Sequence, residues 1–520
     1  MTEKERNKKL AVDLESGSID WFVFGSAALI LFSLIILLAS YPEQSSVVIN
    51  ELYVFVTSSV GVVYVLAGTF VLSFLVWLSL GKYGAVVFGD VAEPEYSLFS
   101  WSSMLFCAGI GASLLYWSAT EWVFYYISPP FGLTGRSDEA ITWALGYGIF
   151  HWGPVGWAFY CLPAISLGCS FHINKNPVLR LSAACEPVLK SNSTLWPGRV
   201  VDLLFLLGVI ATSATGLGFG TNVVSSSIAE LFNMQEGLGL QVAIIVVATF
   251  FICISVYRGL DRGILYFSKV NAILALVFIA FILVVGPTVF ILEMGLTTLG
   301  SVLSDFMTML LWTDPLQKSD FVESWTVFYW AWWLAMGPFV GMFICKISKG
   351  RSVRQVVFGM LFYGSAGCCM FFIILGGYAL HAELFGLYPV VENVLETSPS
   401  AAIAGLVKLL PAGSFWLFYL ALMGLIFMTT TYDSASYVLA AGASRQLIEH
   451  GHPARWHRMF WAAALGLLPV VLLFVGGLRE LQTASLVASL PLIFVYGLLG
   501  LSILRTLREK GAQYVTHLHN

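Results

Sequence analysis

Charge is scarce in this chain. Of its 520 residues only 11% are Asp, Glu, Lys or Arg, against about 25% in an average soluble domain. With 58% hydrophobic residues, there is too little polar side chain to coat a water-facing surface, so the solvent must be lipid. The net charge of −4 excludes a polybasic nucleic-acid binder. The eight cysteines fall in apolar runs, apart from Cys185 in a connecting loop, and none lies in a loop assigned to the outside. They read as reduced packing residues, which excludes a disulfide framework. The histidines form no metal-binding set, and no nucleophile–base pair lies at one depth, so the chain is not read as an enzyme. No short apolar run with a small-residue cleavage site opens it, so no signal peptide is expected.

What the chain has is apolar length. Runs near 21–41, 52–80, 101–127, 140–169, 199–230, 238–257, 264–292, 321–345, 355–380, 412–443, 459–477 and 481–504 are each compatible with a membrane crossing, which takes roughly 20 apolar residues. They are called spans 1 to 12. Lipid offers the backbone no hydrogen-bond partner, so each must be helical; the alternation of a membrane β-barrel is absent. If residue 1 lies in the cytoplasm, Arg136, Lys318, Lys408 and Arg479 fall outside and the other 22 of the 26 Lys and Arg inside. A wrong span count would scramble that asymmetry. The expectation is therefore an all-α integral membrane protein with both termini cytoplasmic. Residues 1–20 form an N-terminal tail, 21–504 a twelve-helix domain and 505–520 a short C-terminal tail. Residues 294–320 and 381–400 are too polar or short to cross and are expected along the outer face.

Span 3 carries Ala108-Gly109-Ile110-Gly111-Ala112-Ser113. Such a stretch fits either close helix packing or an opened backbone lining a cavity. Span 8 carries Gly337-Pro338, and proline removes a helix hydrogen bond. With spans 1 and 2 set aside, spans 3 and 8 each begin a set of five. An odd number of spans makes the two sets inverted, and paired breaks in such repeats point to a transporter's substrate site.

Span 4 holds Trp152, Trp157 and Tyr160, which share one side of a continuous helix at about 100° per residue. Span 8 holds Trp325, Trp330, Trp332 and Trp333. An interfacial belt accounts for Trp325 but not for Trp332 and Trp333, which lie deeper. Ring faces attract cations, and a cage of them suits a quaternary ammonium, which has no N–H to donate. Span 10 carries Phe427-Met428-Thr429-Thr430-Thr431-Tyr432-Asp433. An intramembrane carboxylate marks function by default. The hydroxyls beside it suit a small hard cation or bond back to helix carbonyls. Glu121 in span 3 is read as an orienting group.

Trp325 to Trp333 with Pro338-Phe339-Val340-Gly341-Met342-Phe343 and Ile347-Ser348-Lys349-Gly350-Arg351-Ser352 resembles the signature span of the betaine/choline/carnitine transporters. The span 3 glycines, Thr120-Glu121, the Trp152/Trp157/Tyr160 set and the Thr-Thr-Tyr-Asp-Ser stretch are similar too. The resemblance implies a twelve-helix fold with an inverted five-plus-five core (spans 3–7 and 8–12), like that of the sodium-coupled leucine transporter. It implies alternating access, a homotrimer in a bacterial-type plasma membrane, and a small quaternary-ammonium substrate such as glycine betaine, carnitine or choline. Carried over, Trp152, Trp157, Tyr160 and Trp333 form the cage, and Trp332, Trp117 and Ser113 line the path. Ala108, Ile110, Phe427, Thr430, Thr431 and Asp433 are the candidates for holding a sodium ion; no other cofactor is expected. Sodium-independent exchangers of the family place arginine where Tyr266 stands and methionine where Val340 stands, so symport is expected here. The alternatives are a carnitine-type exchanger and a carrier of dimethylsulfoniopropionate. The short C-terminal tail implies no strong activation by osmolality.

Overall fold

The computed structural model describes residues 19–91, 93–258, 261–316, 318–445, 452–475 and 478–514. Most of both tails, with His450, His517 and His519, lies outside them, and so does the side chain of Tyr266.

The described chain is helical throughout, its only extended pairings being two isolated bridges. Ten helices are long and apolar enough to cross a membrane, and two bent helix pairs complete twelve. These are Trp21–Ser40, Pro42–Leu80, Leu98–Ala108 with Ala112–Gly132, Asp138–Ile173, Trp196–Phe232, Leu238–Val256, Ser268–Val285, Val322–Ile347, Val353–Leu384, Gly413–Gly442, Arg455–Val475, and Gln482–Ser489 with Leu492–Lys510. Every apolar run of the sequence is one of them.

Contacts between distant loops follow the charge alternation. Asp20 before span 1 meets Arg180 of the loop after span 4, Arg199 at the start of span 5 and Arg445 after span 10, at 3.4–3.5 Å. Backbone bonds tie Val86, Val87 and Phe88 to Val353, Tyr514 and Arg351. All of these were assigned to one side. On the other, Lys408 pairs with Glu230, the Ser46 hydroxyl donates to Glu480, and the Phe131 and Trp312 rings lie 4.5 Å apart.

The packing of spans 3–12 repeats when each span n of the first five is exchanged with span n+5. Spans 5 and 10 pack together, as do 6 and 11, and these pairs map onto themselves. Span 4 on span 8 is mirrored by span 9 on span 3, 5 on 11 by 10 on 6, 5 on 12 by 10 on 7, and 4 on 12 by 9 on 7. Five helices per half give the halves opposite orientation, so this is the inverted repeat.

Three local expectations are corrected. Span 8 does not break at Gly337-Pro338: the helix Val327–Ile347 runs through Pro338. The Leu334 carbonyl, which proline cannot reach with a hydrogen bond, accepts instead from the Tyr496 hydroxyl at 3.0 Å, and the same hydroxyl reaches the Phe159 carbonyl at 2.8 Å. Gly337 makes room for this, since a Cβ there would lie 2.0 Å from the Tyr496 oxygen. The irregularity of span 8 is a π-helical turn at Val322–Thr326. Span 4 is not continuous: its helix stops at His151 and restarts at Pro154. A Cβ on Gly153 would sit 2.6 Å from the Ile149 carbonyl, and Pro154 takes the first helical position, where no N–H is needed. Span 7 ends at Val285, before Gly286-Pro287, and a separate helix runs from Thr288 to Ser304. Further short helices, Phe306–Leu311 and Val390–Glu396, lie in the two polar stretches, and Pro399–Lys408 follows the second.

Candidate substrate and ion sites

Span 3 opens where the glycines stand. Its halves, Leu98–Ala108 and the helix from Ala112, are bent by 60°, and Gly111 is extended at φ −154° and ψ 176°. The ring of Trp157 lies against this break and against span 9: Cβ atoms on Gly109 and Gly364 would meet it at 2.8 and 2.4 Å. Trp157 in turn meets Tyr160 edge-on at 5.4 Å.

The restart of span 4 turns Trp152 toward span 8. Its ring meets Trp333 at 4.8 Å and 74°, and Tyr160 meets Trp333 at 5.7 Å and 86°. The predicted set of Trp152, Trp157, Tyr160 and Trp333 is therefore brought together, although not along one continuous helix. Each of the four is at most 8% exposed. Trp332 stacks on Trp333 at 5.0 Å and 10° and meets Phe219 of span 5 at 5.7 Å. Trp117 is fully buried one layer away, edge-on to Phe219 at 5.1 Å and Trp325 at 5.7 Å. It touches the cage layer through Tyr329, at 6.3 Å. Ser113 is half-buried and faces Gly216 of span 5, where a Cβ would lie 3.4 Å from its hydroxyl.

The span 10 stretch meets the span 3 break across Gly220 of span 5. A Cβ on Gly220 would touch Met428 Cγ at 2.9 Å and Ala112 Cβ at 3.0 Å. Ala108, Thr430 and Thr431 are half-buried, and Ile110 and Phe427 buried. The Thr430 hydroxyl donates to the Ile426 carbonyl at 2.9 Å and to that of Phe427 at 3.1 Å. This back-bonding leaves the oxygen lone pairs free to accept, so a hydroxyl can serve both the helix and a cation. Asp433 faces span 11: its Oδ1 lies 3.6 Å from Arg458 Nη2, and the Arg458 guanidinium lies 5.2 Å from the Tyr437 ring. Among the described residues no three His, Cys, Asp or Glu side chains gather as a metal site.

One feature escaped the sequence reading. His151, fully buried, is part of a polar network behind the cage with Glu121, Tyr125, Tyr329 and Thr326. A histidine inside an apolar run, next to a tryptophan and one turn-break from Gly153-Pro154, was the available signal.

Residues 22–512 match the family model described as betaine/carnitine/choline family transporter. A carnitine transporter of Acinetobacter baumannii is 32% identical over 96% of this chain and 91% of its own length. An ectoine/hydroxyectoine transporter of Virgibacillus pantothenticus is 33% identical over 94% of this chain and 96% of its own. The high-affinity choline transport protein of Escherichia coli K12 is 32% identical over 92% and 71%.

Proposed function

The chain belongs to the betaine/carnitine/choline family of transporters, and from that premise we propose that it is a sodium-coupled symporter of a trimethylammonium compound, working by alternating access as a homotrimer with cytoplasmic termini. The observation that carries this reading is the cage itself: four rings, of Trp152, Trp157, Tyr160 and Trp333, meeting edge to face between spans 4 and 8. Ring faces attract a cation by about 0.5–2 kcal/mol each, most when water is excluded.

Relatives named for carnitine and for choline fit such a cage. Another relative is named for ectoine and hydroxyectoine, so carnitine, choline and betaine are titrated separately. Sodium coupling is supported by the half-buried Thr430 and Thr431, which follow Met428, the residue that approaches the span 3 break across Gly220, and by Val340, where the resemblance would place methionine in an exchanger. On the side assigned to the outside, Tyr116, Trp117, Phe328 and Tyr329 are buried, whereas Ala108, Ser113, Thr430 and Thr431 are half-buried. That contrast supports a conformation closed outward and looser inward.

In the cycle, sodium held by span 10 and the span 3 break would stabilise the outward-open site, the cage would take the ammonium head, and the inverted halves would rock around both. Each ligand shifts the two states only by its differential affinity for them. The test is reciprocal binding. Calorimetric titration of the purified protein with carnitine, choline and betaine should give a Kd that tightens with sodium, and substrate must tighten sodium binding by the same factor. Binding indifferent to sodium would leave exchange as the mechanism. No binding of any of the three would remove the substrate class.

A further inference from the structure

Glu121, in the half of span 3 that follows the break, is 0% exposed and lies behind the cage, not in it. Its Oε2 accepts from Trp152 Nε1 at 3.2 Å and from the Tyr329 hydroxyl. Its Oε1 accepts from the Tyr125 hydroxyl at 2.5 Å. The Tyr125 oxygen is also 3.0 Å from His151 Nδ1, and His151 Nε2 is 3.0 Å from the Thr326 hydroxyl. The His151 carbonyl accepts from Trp333 Nε1 at 2.9 Å. An indole has one hydrogen-bond donor. For Trp152 and Trp333 alike, that donor is held by this network.

The consequence follows from the charge distribution of an aromatic ring, whose face is negative and whose edge is positive. A tryptophan turned with its N–H edge toward a bound cation would repel it. Anchoring both N–H edges to acceptors behind the cage points the positive edges away from the substrate and leaves the faces to it. The Glu121 anchor spans three elements, since the carboxylate comes from span 3, Trp152 from the hinge of span 4 and Tyr329 from span 8.

We infer that Glu121 is a positioning residue that fixes the polarity of the cage: by accepting the Trp152 N–H it makes the site selective for a cation over a neutral group of the same shape. The inference rests on the proposed substrate class. Its measure is therefore a ratio that the folded state alone does not set: affinity for choline over affinity for 3,3-dimethylbutanol, in which carbon replaces nitrogen.

The experiment titrates both compounds into wild-type protein, Glu121→Leu and Glu121→Gln. The wild type must prefer choline; if it shows no preference, the proposed substrate class fails before Glu121 is in question. Glu121→Leu, with no acceptor, should lower the ratio about tenfold, the scale of leaving a buried N–H without its acceptor. Glu121→Gln retains an amide oxygen for Trp152 Nε1 and should keep the ratio within about threefold of wild type. Should Glu121→Leu not fold, Trp152→Phe reads the same bond from its other end. It removes the donor and keeps a ring face, and in that background Glu121→Gln should leave the ratio unchanged. A folded Glu121→Leu with the wild-type ratio, or a Glu121→Gln that lowers it as far as leucine does, or a further fall on adding Glu121→Gln to Trp152→Phe, would overturn the inference.

Discussion

Replacing Trp333 by leucine removes one ring face from the cage while keeping an apolar side chain in its place. Trp333 is the ring most of the cage shares, since it meets Trp152, Tyr160 and Tyr329 and stacks on Trp332. At 5% exposure its face works in a desolvated site, where a cation–π contact is worth about 2 kcal/mol. That is about 30-fold in Kd for choline. The neutral isostere 3,3-dimethylbutanol loses only contact area. About 25 Å² at about 25 cal/mol per Å² is about 0.6 kcal/mol, or about threefold. The leucine variant also orphans the His151 carbonyl, which Trp333 Nε1 reaches at 2.9 Å. That should lower thermal stability by about 1–3 kcal/mol, and the melting curve reads it separately from the two titrations. Equal loss of choline and of its isostere would refute the cation–π account, because the cage would then be an apolar pocket only.

Three other sets of substitutions test neighbouring parts of the account. Thr430→Ala with Thr431→Ala should cut the sodium enhancement of substrate binding at least about tenfold, the scale of allosteric coupling lost with its site, and leave sodium-free Kd unchanged by titration. Tyr496→Phe removes the hydroxyl that serves the Leu334 and Phe159 carbonyls. It should cost about 1–3 kcal/mol in detergent unfolding, and Pro338→Ala in the same chain should restore part of it by returning an N–H to Leu334. Asp202 is 0% exposed and accepts from Arg180 at 2.6 Å and from the Ser182 amide and hydroxyl at 3.0 and 2.7 Å. Asp202→Ala leaves a partly buried guanidinium without this carboxylate and should cost about 3–5 kcal/mol, while Ser182→Ala should cost about 1 kcal/mol, both read by thermal unfolding.

Span number and order were legible because lipid imposes one rule on every crossing: an apolar run long enough to satisfy its own backbone. The span 3 glycines were legible only as a weak place, fitting close packing as well as an opening; what favoured the opening was a paired break at Gly337-Pro338, which the structure does not have. Pro338 looked equally disruptive and was not. Whether a proline opens a membrane helix depends on what takes the freed carbonyl, and the donor is Tyr496, on another helix and far away in sequence. The bend of span 12 at Leu490-Pro491, 49°, lay in a run that read as unbroken. The cage residues were legible as residue types, since tryptophans deep in a span need a reason. Their arrangement was not, because the helix restart at Gly153-Pro154 resets the angle between Trp152 and the residues that follow it. Asp433 was legible as a buried charge, but its direction, toward Arg458, is set by how span 11 packs. The network around Glu121 draws on spans 3, 4 and 8, and no local period connects Glu121, His151 and Tyr329.

The central claim is transport of a quaternary ammonium driven by sodium. It is tested most directly by uptake of labelled carnitine into proteoliposomes, under an inward sodium gradient and under potassium alone, with unlabelled betaine and choline as competitors. The account predicts accumulation above the external level only with sodium outside, reduced by at least one competitor. Equal uptake in potassium, or uptake that requires preloaded substrate, would contradict it and make the chain an exchanger.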